Sequence, residues 1–132
     1  MLTIRPLMLA SVALAALPLS GLGQVQLVQV PWPLKQVTVR QIVAPPFDFI
    51  EVCAEVKAGR AVDWQFQAEH PLGFNTHLHL PDAAPSAQKV YAPLATPSAA
   101  KGRLIASGEH PHCWMWTNPL PVPVPIRVQL GP

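Results

Sequence analysis

The stretch PVPVPIRVQL, residues 121–130, decides the fold class. Val122, Val124, Ile126, Val128 and Leu130 fall on every second position, the period of a strand with one buried face. Pro121, Pro123 and Pro125 fill places between them. Proline has no N–H to give a ladder, so the first half of this strand is expected at a sheet edge or in irregular pairing, where it also discourages edge-to-edge association. With 17 prolines spread through 132 residues, few windows remain for an interior helix.

Working outward, the same period recurs. QVTVRQI pairs Val37 with Val39. FIEVCAEV places Ile50, Val52, Ala54 and Val56 on one face and Glu51, Cys53, Glu55 and Lys57 on the other. Ala58, Gly59 and Arg60 make a turn. AVDWQFQA then sends Val62, Trp64, Phe66 and Ala68 inward, and GFNTHLHL aligns Phe74, Thr76, Leu78 and Leu80. KVYA and RLIAS are weaker strand candidates, and residues 81–101, rich in Ala, Pro and Ser, read as containing a long loop. Seven or eight short strands with turns between them predict an all-β fold, a small antiparallel β-sandwich.

The first 23 residues have a different composition. Arg5 precedes an apolar run over residues 7–19, and Ser20, Gly21, Leu22 and Gly23 follow. That is the layout of a secretory signal peptide, with one domain expected over residues 24–132. No later stretch is apolar enough to span a membrane, so the domain is expected in the periplasm or outside the cell. Without the leader, eight basic residues face seven acidic ones, scattered along the chain. No electrostatic footprint for nucleic acid is present.

In HPHCWMWTN, residues 110–118, His110, His112, Trp114 and Trp116 share one parity, and Cys113 and Met115 the other. Two indoles are the largest apolar groups available and are expected in the core beside Trp64 and Phe66. Cys113 then faces away from the core, as Cys53 does on its own strand. In an oxidising compartment a disulfide is the default state of two such cysteines, and it is geometrically open to them if their Cα atoms come within about 7 Å.

This combination resembles the GOLD domain, a lumenal β-sandwich of the secretory pathway. The likeness runs from CAEVKAGRAVDWQFQA through HLHLPD to ASGEHPHCWMWTN and covers roughly residues 47–130. It implies a GOLD-like or jelly-roll-like sandwich with a Cys53–Cys113 bridge. The cargo receptors of that family continue into a coiled coil and a transmembrane helix, which this sequence does not carry to Pro132. A trafficking-receptor role is therefore not implied, and an exported bacterial protein is the better fit.

The chemical signal is His77-Leu78-His79. Positions i and i+2 of a strand project from one face, so the two imidazoles stand side by side, outward with Asn75. With Met115 as third ligand the pair would suit copper first, since thioether sulfur favours Cu(I), and zinc otherwise. If the cysteines were reduced, Cys53 or Cys113 would add a thiolate. His110 and His112 form a second pair at what reads as a turn and a solvent-facing rim, and rank as secondary metal candidates. Enzymatic activity is not expected: HExxH, GxSxG and a phosphate-cradling glycine loop are absent, and His112 and Cys113, adjacent in a strand, point to opposite faces. The expectation is a non-catalytic binding module whose partner is a metal ion or a periplasmic protein. The alternative is an interaction or structural envelope module with no metal.

Overall fold

The computed structural model describes residues 26–80 and 88–132. The expected leader over residues 1–23 lies outside them. Nine strands make up the described chain: β1 (Gln26–Gln29), β2 (Thr38–Ala44), β3 (Phe49–Val56), β4 (Ala61–Ala68), β5 (Gly73–His79), β6 (Gln88–Ala95), β7 (Ala99–Ile105), β8 (His110–Thr117) and β9 (Val124–Gly131). They form two sheets, ordered β1-β3-β8-β5-β6 and β2-β9-β4-β7. Every pairing is antiparallel except β1 with β3, which is parallel.

The predicted alternation holds where strands are central. Ile50, Val52, Ala54 and Val56 of β3, Val62 and Phe66 of β4, and Val124, Ile126, Val128 and Leu130 of β9 are all buried between the sheets. Trp114 and Trp116 are fully buried, and Phe66, Phe74 and Trp116 form a ring cluster with centroids 4.7–5.4 Å apart. Both indole N–H groups lack an acceptor. Leaving each unpaired costs about 1–3 kcal/mol. Burying an indole of 150–250 Å² contributes roughly 4–6 kcal/mol, so the apolar gain wins.

Three expectations are corrected. Val37 and Val39 are exposed, and the buried parity of β2 is the opposite one, Ile42 and Ala44. The strand starts at Thr38, and its register against β9 brings Ile42 opposite Ile126 and Ala44 opposite Val124. Second, KVYA lies within a longer strand, β6, and RLIAS overlaps only the end of β7; Pro93 is tolerated because β6 is an edge strand. Third, β1 was not anticipated at all.

Proline placement in β9 follows from hydrogen bonding. Val122 and Pro123 precede the strand. Pro125 lies within it, opposite Val43 of β2, but beyond the last residue of β4 paired to β9, Ala68 opposite Ile126. The N–H and C=O of a strand residue point to the same side. The Pro125 carbonyl accepts from Glu69 N at 3.3 Å, so its missing N–H faces the place where β4 has already ended.

Candidate metal centre

The face of the five-stranded sheet turned away from the core carries the site. Cys53 is directly opposite Cys113 in the β3–β8 register, and His77 of β5 is opposite Cys113 on its other side. One step along the strands, Glu51, Met115 and Asn75 form the parallel row. The cysteines are bridged, with Cα atoms 4.2 Å apart. The Cys53 carbonyl accepts from Val30 N on the β1 side, which leaves Cys53 and Cys113 as a non-hydrogen-bonded pair, the closer of the two antiparallel spacings. The bridge encloses a separation of 60 residues, and in the chain-entropy model contributes about 4 kcal/mol.

Outward parity does not mean exposure here. The His77 side chain is 0% exposed and that of Glu51 10%, while His79 at 40% opens to solvent. His77 Nε2 lies 3.4 Å from Glu51 Oε1, His79 Nε2 3.7 Å from Glu51 Oε2, and the two Nε2 atoms 3.1 Å from each other. His77 Nδ1 lies 2.9 Å from Asn75 Oδ1. An amide oxygen only accepts, so Nδ1 carries the hydrogen and the Nε2 of a neutral His77 presents a lone pair. That lone pair faces a carboxylate and a second imidazole. Such a convergence of donors calls for a proton or a cation among them.

With a proton on Nε2 in place of a cation, His77 donates to Glu51, and that hydrogen bond holds the carboxyl below the usual carboxylate range. Burial opposes this, and the charges of His77 and His79 add to the lowering. The 3.1 Å between the two imidazole nitrogens, and the 3.4 and 3.7 Å from each to a different oxygen of the carboxylate, lie close to the edge of a tetrahedron with metal–ligand bonds of 2.0–2.1 Å, about 3.4 Å.

The sequence placed His77, His79, Asn75 and Met115 on one face, and the structure agrees. Glu51 was read as an outward residue but not as part of the site. His110 and His112 do not join it. Their parity with Trp114 and Trp116 turns them to the core side of β8, opposite Val56 and Ala54. His112 is fully buried, not a solvent-facing rim, with Nδ1 donating to the His110 carbonyl at 2.6 Å. Burial pushes its pKa down.

A domain of two packed, mostly antiparallel sheets with one cross-strand disulfide is a β-sandwich. Solved structures share that architecture. The chain superposes on Aeromonas hydrophila PliG, a periplasmic lysozyme inhibitor of g-type lysozyme, with TM-score 0.53 and 11% identity over 82% of this chain and 98% of that one. The pre-peptidase C-terminal domain of a Bacillus anthracis collagenase matches with TM-score 0.50 and 10% identity, over 84% and 98%. At such identities the likeness is one of fold. No family model matches the chain, and no curated protein matches it in sequence. The GOLD resemblance therefore rests on the residues quoted for it. Among the described residues no helix is long and apolar enough to cross a membrane.

Proposed function

We propose that this is an exported, non-catalytic binding domain whose working site is a divalent transition-metal centre formed by Glu51, His77 and His79. The observation that carries the reading is the convergence of a His77 Nε2 lone pair, His79 Nε2 and the Glu51 carboxylate within 3.1–3.7 Å of one another. Asn75 supports it from behind. A metal-bound histidine characteristically donates its other ring N–H to an oxygen that fixes the tautomer, as His77 Nδ1 does to Asn75 Oδ1.

The donor set also bears on which metal. Two imidazoles and a carboxylate, with both sulfurs held in a disulfide, suit zinc, or Cu(II) by its higher general affinity, better than Cu(I). Met115, diagonal to His77 across β8 and β5, keeps a copper(I) variant of the site open to test. Export is supported by the disulfide, which persists in oxidising compartments.

Isothermal titration with Zn(II), Cu(II) and Cu(I) tests the reading. One equivalent of Zn(II) is expected to bind, with binding lost in His77→Ala and His79→Ala and weakened about tenfold in Asn75→Ala. Met115→Leu should alter Cu(I) binding only. Wild-type heats indistinguishable from those of the double histidine variant would end the proposal.

A further inference from the structure

We infer that Cys113 is a fourth ligand of this centre, withheld by the Cys53–Cys113 disulfide and released when that bond opens. The domain then holds zinc weakly when oxidised and tightly when reduced. This rests on the reading of Glu51, His77 and His79 as a metal centre.

The geometry distinguishes the two sulfurs. One donor atom from each of Glu51, His77, His79 and Cys113 falls in a group in which all lie within 4.8 Å of one another. Cys113 is the direct cross-strand partner of His77, whereas Cys53 lies one strand further away and outside that group. A disulfide sulfur is a poor zinc donor. A thiolate is among the best, bonding at about 2.3 Å and completing a four-coordinate tetrahedral site. Charge balance points the same way. Zinc(II) with the Glu51 carboxylate and one thiolate is neutral, and uncompensated charge is costly at a position as buried as His77 and Cys113.

The chemistry balances with a dithiol as reductant. It supplies two electrons and two protons, the S–S bond breaks to two thiols, and the dithiol leaves as its own cyclic disulfide. Zinc then displaces the Cys113 thiol proton to solvent, while Cys53 keeps its own.

Two variants isolate the sulfur without any reductant. Cys53→Ser and Cys113→Ser both abolish the bridge and differ only in which thiol remains. Titrated with Co(II) as a spectroscopic stand-in and then with Zn(II), Cys53→Ser should show a thiolate-to-cobalt charge-transfer band. It should also bind Zn(II) at least about tenfold more tightly than oxidised wild type, since second-shell changes alone move metal affinity by 10–100-fold. Cys113→Ser should show neither. If oxidised wild type binds Zn(II) through His77 but the two variants behave alike, this inference fails and the three-ligand centre stands. If no form binds Zn(II), the centre fails and takes the inference with it.

Because both variants lose the bridge's stabilisation, the unmutated protein gives a second readout. It is reduced with a dithiol, desalted without oxygen, and alkylated with and without Zn(II). Mass mapping should find Cys113 protected by zinc and Cys53 modified. Equal modification of the two would overturn the assignment.

Discussion

Replacing Asn118 should cost this domain about three hydrogen bonds at once. The side chain is buried in the connection between β8 and β9. Its Nδ2 donates to the carbonyls of Ala44 at 3.1 Å, Pro45 at 3.0 Å and Val122 at 2.8 Å, and its Oδ1 accepts from Leu120 N at 2.9 Å. One amide thus ties the end of β2 to the turn that feeds β9. Two N–H hydrogens serve three carbonyls, so the net value is about three hydrogen bonds at roughly 1 kcal/mol each. Ala44 is fully buried, so its carbonyl cannot recover water when the amide is gone. Asn118→Ala should therefore lose about 3 kcal/mol, a large part of a domain stability of about 5–15 kcal/mol. In urea unfolding with a slope near 2 kcal/mol/M, the midpoint should fall by about 1.5 M. Asn118→Asp discriminates further. It keeps the volume but sets a carboxylate against three carbonyl oxygens, so it should be worse than alanine. An alanine loss under about 0.5 kcal/mol, or an aspartate better tolerated than alanine, would refute the hydrogen-bond assignment.

Reduction of Cys53–Cys113 in the metal-free protein should lower stability by about 4 kcal/mol, seen as a fall in melting temperature on adding a dithiol. Phe47 sits in the β2–β3 turn at φ 55° and is 72% exposed. It has little packing to lose, so Phe47→Asn, which tolerates the left-handed region, should stabilise by about 0.5–1 kcal/mol in denaturant unfolding. Acid should weaken the fold in two windows. Burial holds the folded His112 pKa down, so stability is full above the unfolded imidazole value near 6.5 and falls as pH drops below it. The His77 hydrogen bond holds the Glu51 carboxyl down, so its contribution is full above about pH 4.3 and is lost as pH falls through the lower folded value. Stability measured across pH should show both declines, with His112→Leu removing the upper one and Glu51→Gln the lower.

Much of the fold was legible because burial imposes a period on central strands. β3 and β4 have the limits their alternation predicts, and in β8 the two tryptophans carry Cys113 to the outer face by parity alone. Edges were less legible. β2 contacts only β9 within its sheet, so its outward valines are free of the rule that apolar means inside, and Val37 and Val39 gave a false face. β6 is short of apolar alternation and carries a proline that only an edge strand accommodates. His112 was misread for a related reason: a histidine beside a proline suggests a turn, yet its parity with Trp114 already placed it on the core side.

The centre was half legible, and the missing half shows what a period cannot supply. Alternation assigns each side chain to a face but says nothing about which strands are neighbours. Had the Cys53–Cys113 bridge been taken as a register mark, antiparallel pairing would have put Glu51 opposite Met115, since both lie two residues from their cysteines in opposing directions. That step needs only sequence and one disulfide. The next one needs the fold: β5 lies beside β8 with His77 opposite Cys113, and nothing in HLHL specifies that alignment. Glu51 therefore reaches His77 across an intervening strand, with the sulfur of Cys113 between them in the sheet. The same arrangement that hid the carboxylate from a reading of local pattern is what brings carboxylate, imidazoles and sulfur to one point, and it makes the oxidation state of Cys113 a property of the site as well as of the fold.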